Sequence, residues 1–374
     1  MTIDGNRTSG STNPSASTSS KGVATGHAIS PDSGRHWADE GAWQVAEGIH
    51  RIPLPLPMDA LKAVNVYVLE GDDGLTLIDG GWSIPIAREL LDKCLRSIGS
   101  GFGDIRRFLV THVHRDHYTL ATVLGHEFGA EVALGIEERP ALELLHRAAD
   151  AELHQSPFLE VLRTAGAAEI AEVWAAGADD ENLPTKVEWA FPDLWLEGDR
   201  SFEVGRRTID AVHTPGHTPG HYVYADQAEG VLFAGDHVLP TITPSIGFTV
   251  PATEQPLGEF MSSLARVRQL PDLRLLPAHG PVAPSTHERV DELLAHHETR
   301  LEQSLDSVRS RGTVTALVVA RDLGWTRHER AFTELDPFSQ GMAAMETKAH
   351  LDLLVARGLL AAESHDEGVV YRVV

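Results

Sequence analysis

Thr111-His112-Val113-His114-Arg115-Asp116-His117 is the stretch on which the fold of this 374-residue chain turns. Three imidazoles and a carboxylate fall within the six positions from His112 to His117. The run Arg106–Val110 before them reads as a strand, and Tyr118 to Gly125 after them reads as a helix. In a loop at a strand end, His112 and His114 can turn the same way while Asp116 and His117 reach a neighbouring point. Imidazole and carboxylate are the donors that divalent metals take when thiolates are absent. A solvated polar loop is the ordinary alternative.

Three later segments repeat the arrangement. Thr208–Val212 leads into His213-Thr-Pro-Gly-His217-Thr-Pro-Gly, Gly230–Ala234 into Gly235-Asp236-His237, and Leu273–Leu276 into Pro277-Ala-His279-Gly280. Each is a short apolar run ending in a turn where Gly or Pro restricts the backbone and so aims a His or Asp. Upstream, Val64–Leu69 and Leu75–Ile78 flank Glu70-Gly-Asp-Asp-Gly74 as a hairpin, and Asp79-Gly80-Gly81 closes the second strand. From Pro85 a helix is expected with Ala87, Leu91, Cys94, Leu95 and Ile98 on one face. Cys94 therefore reads as a core residue, not a reactive thiol.

Composition excludes several classes. There are 31 Lys+Arg against 54 Asp+Glu, a net charge of −23, which disfavours a general nucleic-acid binder. One cysteine excludes an intrachain disulfide framework and a thiolate-rich zinc site, and fits a reducing compartment. No apolar run of about 18 residues suggests a membrane span. Residues 1–40 are rich in Ser, Thr, Gly, Pro and Asn and read as a disordered tail on a cytoplasmic protein.

The ordered set His112-x-His114-x-Asp116-His117, His217, Asp236 and His279 resembles the metallo-β-lactamase superfamily of hydrolases. The resemblance covers roughly residues 43–284. It implies an α+β fold, a four-layer αββα sandwich with metals at one edge between two sheets. It also implies that His112, His114 and His217 bind one metal, that Asp116, His117 and His279 bind a second, and that Asp236 bridges them. Asp79 resembles the carboxylate that orients a ligand imidazole in that family. His117 and Asp236 stand where antibiotic-cleaving members commonly carry Arg and Cys, so β-lactam cleavage is not expected. His114 stands where the flavin-linked di-iron branch has Glu. The resemblance implies two divalent ions, expected to be zinc, although iron and manganese suit the same donors.

Domain limits are expected at 41–284 for the catalytic part and 285–374 for a small C-terminal one. The spacing of 100 residues between His117 and His217 is generous for the fold. The excess maps to residues 136–177, read as a helical insertion over the site. Phe158 and Trp174 are its candidate substrate contacts, with mutual helix packing as the alternative, and Tyr118 is a candidate for narrowing the mouth. His146 and His154 read as surface residues. After Pro284, helices over Val290–Arg311, Thr313–Leu323 and Phe338–Arg357 precede a hairpin, Leu359–Glu363 with Val369–Val373. That order resembles the winged-helix-like tail of the lactamase-beta-2-like branch, which is associated with RNA cleavage and with thioester hydrolysis.

Residues 285–374 hold 10 Lys+Arg and 15 Asp+Glu, and the hairpin tip is His365-Asp366-Glu367. The tail is therefore expected to be a structural cap or a homodimer contact, with no nucleic-acid or membrane partner. The expected function is hydrolysis of a small acyl substrate, a thioester or ester (lactones included), by a metal-activated hydroxide. Asp116 would orient the nucleophile and move a proton. His221 and His237 lie close enough in sequence to assist, with structural roles as the alternative. A metal-dependent ribonuclease and a non-catalytic metal-binding regulator are the alternatives to the whole reading.

Overall fold

The computed structural model describes residues 35–57, 60–149, 158–176 and 185–374. Residues 1–34 of the expected tail, residues 150–157 and 177 of the expected insertion, and His154 with them lie outside the described residues. Within 35–40, the part of that tail that is described, the Trp37 carbonyl accepts from the buried Arg51 guanidinium and the Asp39 carbonyl accepts from Trp43 Nε1 at 3.0 Å. Defined contacts thus begin ahead of the expected limit at residue 40.

Seven strands form the first sheet in chain order: β1 (Trp43–Ala46), β2 (Ile49–Pro55), β3 (Ala63–Gly71), β4 (Gly74–Ile78), β5 (Ile105–Leu109), β6 (Glu131–Gly135) and β7 (Leu194–Leu196). The first four pair antiparallel and β4 to β7 pair parallel. Helices α1 (Pro85–Ser97) and α2 (Arg115–Phe128) make the β4–β5 and β5–β6 crossovers. The second sheet has the order β12-β11-β10-β9-β8, from β8 (Arg200–Val204), β9 (Arg207–His213), β10 (Tyr222–Asp226), β11 (Val231–Gly235) and β12 (Arg274–Pro277). Its parallel pair, β11 and β12, is linked through α6 (Pro256–Val267).

Side-chain alternation along the strands separates the layers. In β3, Val64, Val66 and Val68 pack on Ala87, Leu91, Cys94 and Leu95 of α1, while Tyr67 and Leu69 point the other way, between the sheets. The second sheet answers in kind: Tyr222, Tyr224 and Phe233 face inward, and Val223, Ala225, Leu232 and Ala234 face outward. The Tyr67 and Phe233 rings meet edge to face at 5.2 Å across the middle layer. Each such side chain contributes about 1.5–3 kcal/mol relative to exposure. The result is the expected αββα sandwich.

The insertion spans two layers. Helix α3 (Arg139–Ala148) lays Leu142 and Leu145 on the first sheet's outer core, whereas α4 (Phe158–Thr164) and α5 (Ala168–Ala176) join the outer core of the second. Beyond α7 (Thr286–Arg311) come α8 (Ala316–Asp322), α9 (Pro337–Ala356) and a small sheet, β13-β15-β14, built from Val314–Thr315, Gly368–Val373 and Leu360–His365. Ser285 caps α7 by accepting from the Glu288 amide at 3.0 Å, and Asp336 caps α9. Leu301, Leu305, Leu317, Ala344 and Leu351 of this region share one apolar cluster with Leu159, Leu162 and Ile170 of the insertion and with the second sheet. No helix among the described residues is long and apolar enough to cross a membrane.

Candidate metal centre

Every predicted donor lies just beyond a strand or at the start of a helix on one edge of the sandwich. His112 follows β5, His114 caps α2, and Asp116 and His117 lie in the first turn of α2. His217 sits in the β9–β10 loop, Asp236 directly after β11 and His279 directly after β12. The side chains gather into two adjoining groups, His112, His114, His217 and Asp236 in one, and Asp116, His117 and His279 in the other. Within each group the donor atoms lie within 4.8 Å of one another.

Neighbouring acceptors fix which imidazole nitrogen carries its hydrogen. His217 Nδ1–H donates to the Ser245 carbonyl at 2.8 Å, and His279 Nδ1–H to the Ala63 carbonyl at 2.8 Å. His117 Nδ1–H donates to Asp79 Oδ2 at 2.9 Å. The Thr111 hydroxyl donates to the same carboxylate at 3.1 Å, so its oxygen is left to accept from His112 Nδ1, 2.9 Å away. Each of these four rings therefore turns its Nε2 to the centre. His114 Nδ1 stands 3.0 Å from His112 Nε2 and 3.2 Å from His217 Nε2. One proton can join only two of these three nitrogens, whereas one cation satisfies all three.

The second group makes the same demand differently. His117 Nε2, His279 Nε2 and Asp236 Oδ1 are buried with no hydrogen-bond partner, a costly arrangement for polar atoms. Asp236 turns one oxygen to each group. Oδ2 is 3.6 Å from His217 Nε2, while Oδ1 is 3.3 Å from His279 Nε2 and 3.7 Å from His117 Nε2. Asp116 Oδ2 lies 3.4 Å from His279 Nε2 and 3.6 Å from His117 Nε2. The two clusters can thus hold metal ions.

Electrostatics separates them. Burial, reinforced by neighbouring imidazoles, pushes His114 down to about 3 and His112 well below the usual range. Burial also takes His217 down to about 4, against the pull of the Ser245 carbonyl. At His117 burial again opposes charge, but Asp79, Asp116 and Asp236 outweigh it and raise the ring to about 10. Burial would raise Asp116, yet His117, His279 and His114 hold it below the ordinary carboxylate range. Asp79 adopts a left-handed backbone, φ 61°, and also accepts the Thr111 amide at 2.7 Å. Its carboxylate thus accepts from His117, the Thr111 hydroxyl and the Thr111 amide together.

Other predicted positions fare unevenly. Tyr118 does not narrow the mouth: it is fully buried between α2 and the first sheet, its hydroxyl donating to the Ala190 carbonyl. The physical reason is helical rotation, since its neighbour His117 already uses the face of α2 that meets the site. Phe158 and Trp174 enter an aromatic group around Phe248, a residue that sequence reasoning missed. The Phe248 ring stacks on Phe158 at 4.1 Å, meets Trp174 edge on at 6.4 Å and lies 6.1 Å from His114. Trp174 also stacks on Phe338 at 5.0 Å and fits against Gly341, where a Cβ would come within 2.3 Å of its ring. The orienting carbonyls of Ala63 and Ser245 were missed too, because a backbone acceptor has no side-chain signature.

His221 and His237 are fully buried beside the donors. His221 Nδ1 meets the Thr214 hydroxyl at 3.0 Å, and its Nε2 accepts the Asp236 amide at 3.2 Å, a supporting role. His213 Nε2 donates to the Pro219 carbonyl at 2.9 Å within the loop that carries His217.

A sandwich with donors gathered at its strand ends has clear counterparts. A family model described as the metallo-beta-lactamase superfamily matches residues 60–279, and the chain belongs to that superfamily. It is 25% identical over 329 residues to a probable metallo-hydrolase of Bacillus subtilis, covering 83% of this chain and 93% of that one. It is 32% identical over 127 residues to a beta-lactamase-like protein 2 homolog of Caenorhabditis elegans, a match that spans 33% of this chain and only 40% of the relative's length. The crystal structure of a metallo-beta-lactamase family protein from Thermus thermophilus superposes with a TM-score of 0.72 at 29% identity, covering 88% of this chain and 100% of that one.

Proposed function

We propose that the chain is a dinuclear metal-dependent hydrolase acting on a carbonyl substrate, a thioester or an ester, lactones included. The observation that supports it best is the convergence of imidazole nitrogens around the two oxygens of Asp236, where three of those nitrogens meet and one proton can join only two of them. His112, His114 and His217 would hold one divalent ion and Asp116, His117 and His279 the other, with Asp236 between. Zinc suits this all-imidazole and carboxylate set, as do iron and manganese. When bound, such a pair brings the pKa of water to about 7 and polarises a carbonyl oxygen.

The protein's own groups divide the remaining work. Asp116 keeps its carboxylate form and is 15% exposed, so it can take a proton at its oxygen and deliver it to the leaving group. Asp79 holds His117 and Thr111, and Thr111 in turn holds His112. Phe248, backed by Phe158 and Trp174, offers an apolar wall beside His114 for the acyl part. A small-molecule substrate is favoured over RNA because the exposed hairpin tip carries His365, Asp366 and Glu367.

Metal analysis combined with a panel of aryl esters, acyl thioesters, lactones and an RNA oligonucleotide tests the proposal. About two ions per chain with acyl hydrolysis is the expected result. Well under one ion per chain after reconstitution would defeat the dinuclear reading, and RNA cleavage with every acyl substrate ignored would defeat the esterase reading.

A further inference from the structure

Glu138 is a carboxylate with no task in the chemistry above, yet it is completely buried. It ends the turn that follows β6 and immediately precedes α3, at the root of the insertion. Its Oε1 accepts the hydroxyl of Thr218, the residue after His217. Burial pushes its carboxyl up to about 7, against the Thr218 hydroxyl and the neighbouring peptide N–H groups of Gly220 and of Val113, the residue between His112 and His114. The approach is close: a Cβ on Gly220 would come within 2.6 Å of Glu138 Cγ, and one on Gly135 within 2.2 Å of the Gly220 carbonyl. The β9–β10 loop itself is wound tight, with the Thr214 amide donating to the His221 carbonyl at 2.8 Å and the Gly216 amide to the Thr218 carbonyl at 3.0 Å. A push on Thr218 is therefore carried to His217.

We infer that Glu138 is a positioning residue that joins the two loops supplying His112, His114 and His217, and so sets the geometry of the three-imidazole cluster alone. This rests on the proposed metal-binding reading. Among the described residues no bond links Glu138 to Asp116, His117 or His279, so the second cluster is outside its reach. The three rings come from two loops, and Glu138 touches both. Without it, His217 keeps its bond to the Ser245 carbonyl but its loop loses the anchor at Thr218, while the His112–His114 pair stays held by Thr111 and α2.

The test is a stepwise titration of the metal-free full chain with zinc under a competing chelator, and with cobalt(II) read by visible absorption. Glu138→Ala should weaken one of the two binding steps about tenfold, the scale of a lost supporting contact around a metal ligand, and should alter the cobalt spectrum of that step only. Glu138→Gln keeps an acceptor for Thr218 and should restore both. If Glu138→Ala fails to fold, Thr218→Val carries the same expectation, because it removes the other half of the bond. A wild-type chain that binds no metal defeats the underlying reading. A wild-type chain that binds two ions, with variants that bind both as tightly or lose both equally, defeats the inference about Glu138.

Discussion

Buried imidazoles face each other at hydrogen-bonding distance in two parts of this molecule, and only one of them calls for a cation. In the sandwich, His112 Nε2, His114 Nδ1 and His217 Nε2 meet at 3.0 and 3.2 Å. Between α7 and α9, His297 Nδ1 meets His350 Nε2 at 3.2 Å. In the second place one proton accounts for the contact. His350 Nδ1–H donates to the Glu346 carbonyl at 2.8 Å, so its Nε2 accepts from His297. In the first place the acceptors behind His112 and His217 leave both Nε2 atoms as acceptors, and a single His114 proton can serve only one of them. Proximity does not distinguish the two sites; the tautomers imposed from behind do.

The difference is open to attack by substitution. Asp236→Ala removes the oxygens facing both clusters and is expected to reduce acyl hydrolysis to background and empty both, measured by turnover and metal content. Retained turnover would remove Asp236 from the centre. Next in size, His114→Ala should cost the three-imidazole cluster its ion, while His279→Ala should leave about that one ion per chain by elemental analysis. Asp79→Asn should weaken metal binding by roughly 10–100-fold, because it exchanges one acceptor for a donor behind His117 and Thr111. A chelator titration matching wild type would show that those rings are aimed by packing instead.

The smallest effect belongs to the other pair. Burial pulls His350 from its ordinary 6.5 down to about 3 and His297 well below its usual value. Between those limits the unfolded chain binds more protons than the folded one. Stability from the neutral rings is therefore full above pH 6.5 and lost progressively as pH falls from there toward 3. The double replacement His297→Leu/His350→Met should flatten the fall of Tm between about pH 6.5 and 4 and leave metal content untouched. A loss of metal in that variant would erase the contrast between the two sites.

Much of the first site could be read from sequence because its donors sit at the ends of short apolar runs punctuated by Gly and Pro. Four such ends are aligned as soon as the strands pair, and periodicity predicts that pairing. What stayed hidden lacks a local pattern. Glu138, within Ile136-Glu-Glu-Arg-Pro140, looks like a solvated helix start until β6 carries it under the His217 loop. Phe248 lies in a loop, and only the arrival of α4 and α5 gives it aromatic neighbours. Tyr118 was misplaced because adjacency to His117 along a helix is a rotation of about 100°, not shared direction. Trp37 likewise gives no local sign that its carbonyl will accept from Arg51 of β2.

Asp79 shows how narrow the tolerance for change can be at one position. Its left-handed backbone favours Gly, Asn and Asp, while the Thr111 amide, the Thr111 hydroxyl and His117 together require two acceptor oxygens. Glycine meets the first condition and fails the second. Glutamate meets the second in number but brings a longer stem and a strained φ. Asparagine keeps the backbone and supplies one acceptor where two are used. In a saturation survey of this chain, residue 79 should therefore accept aspartate alone, without contacting substrate at all.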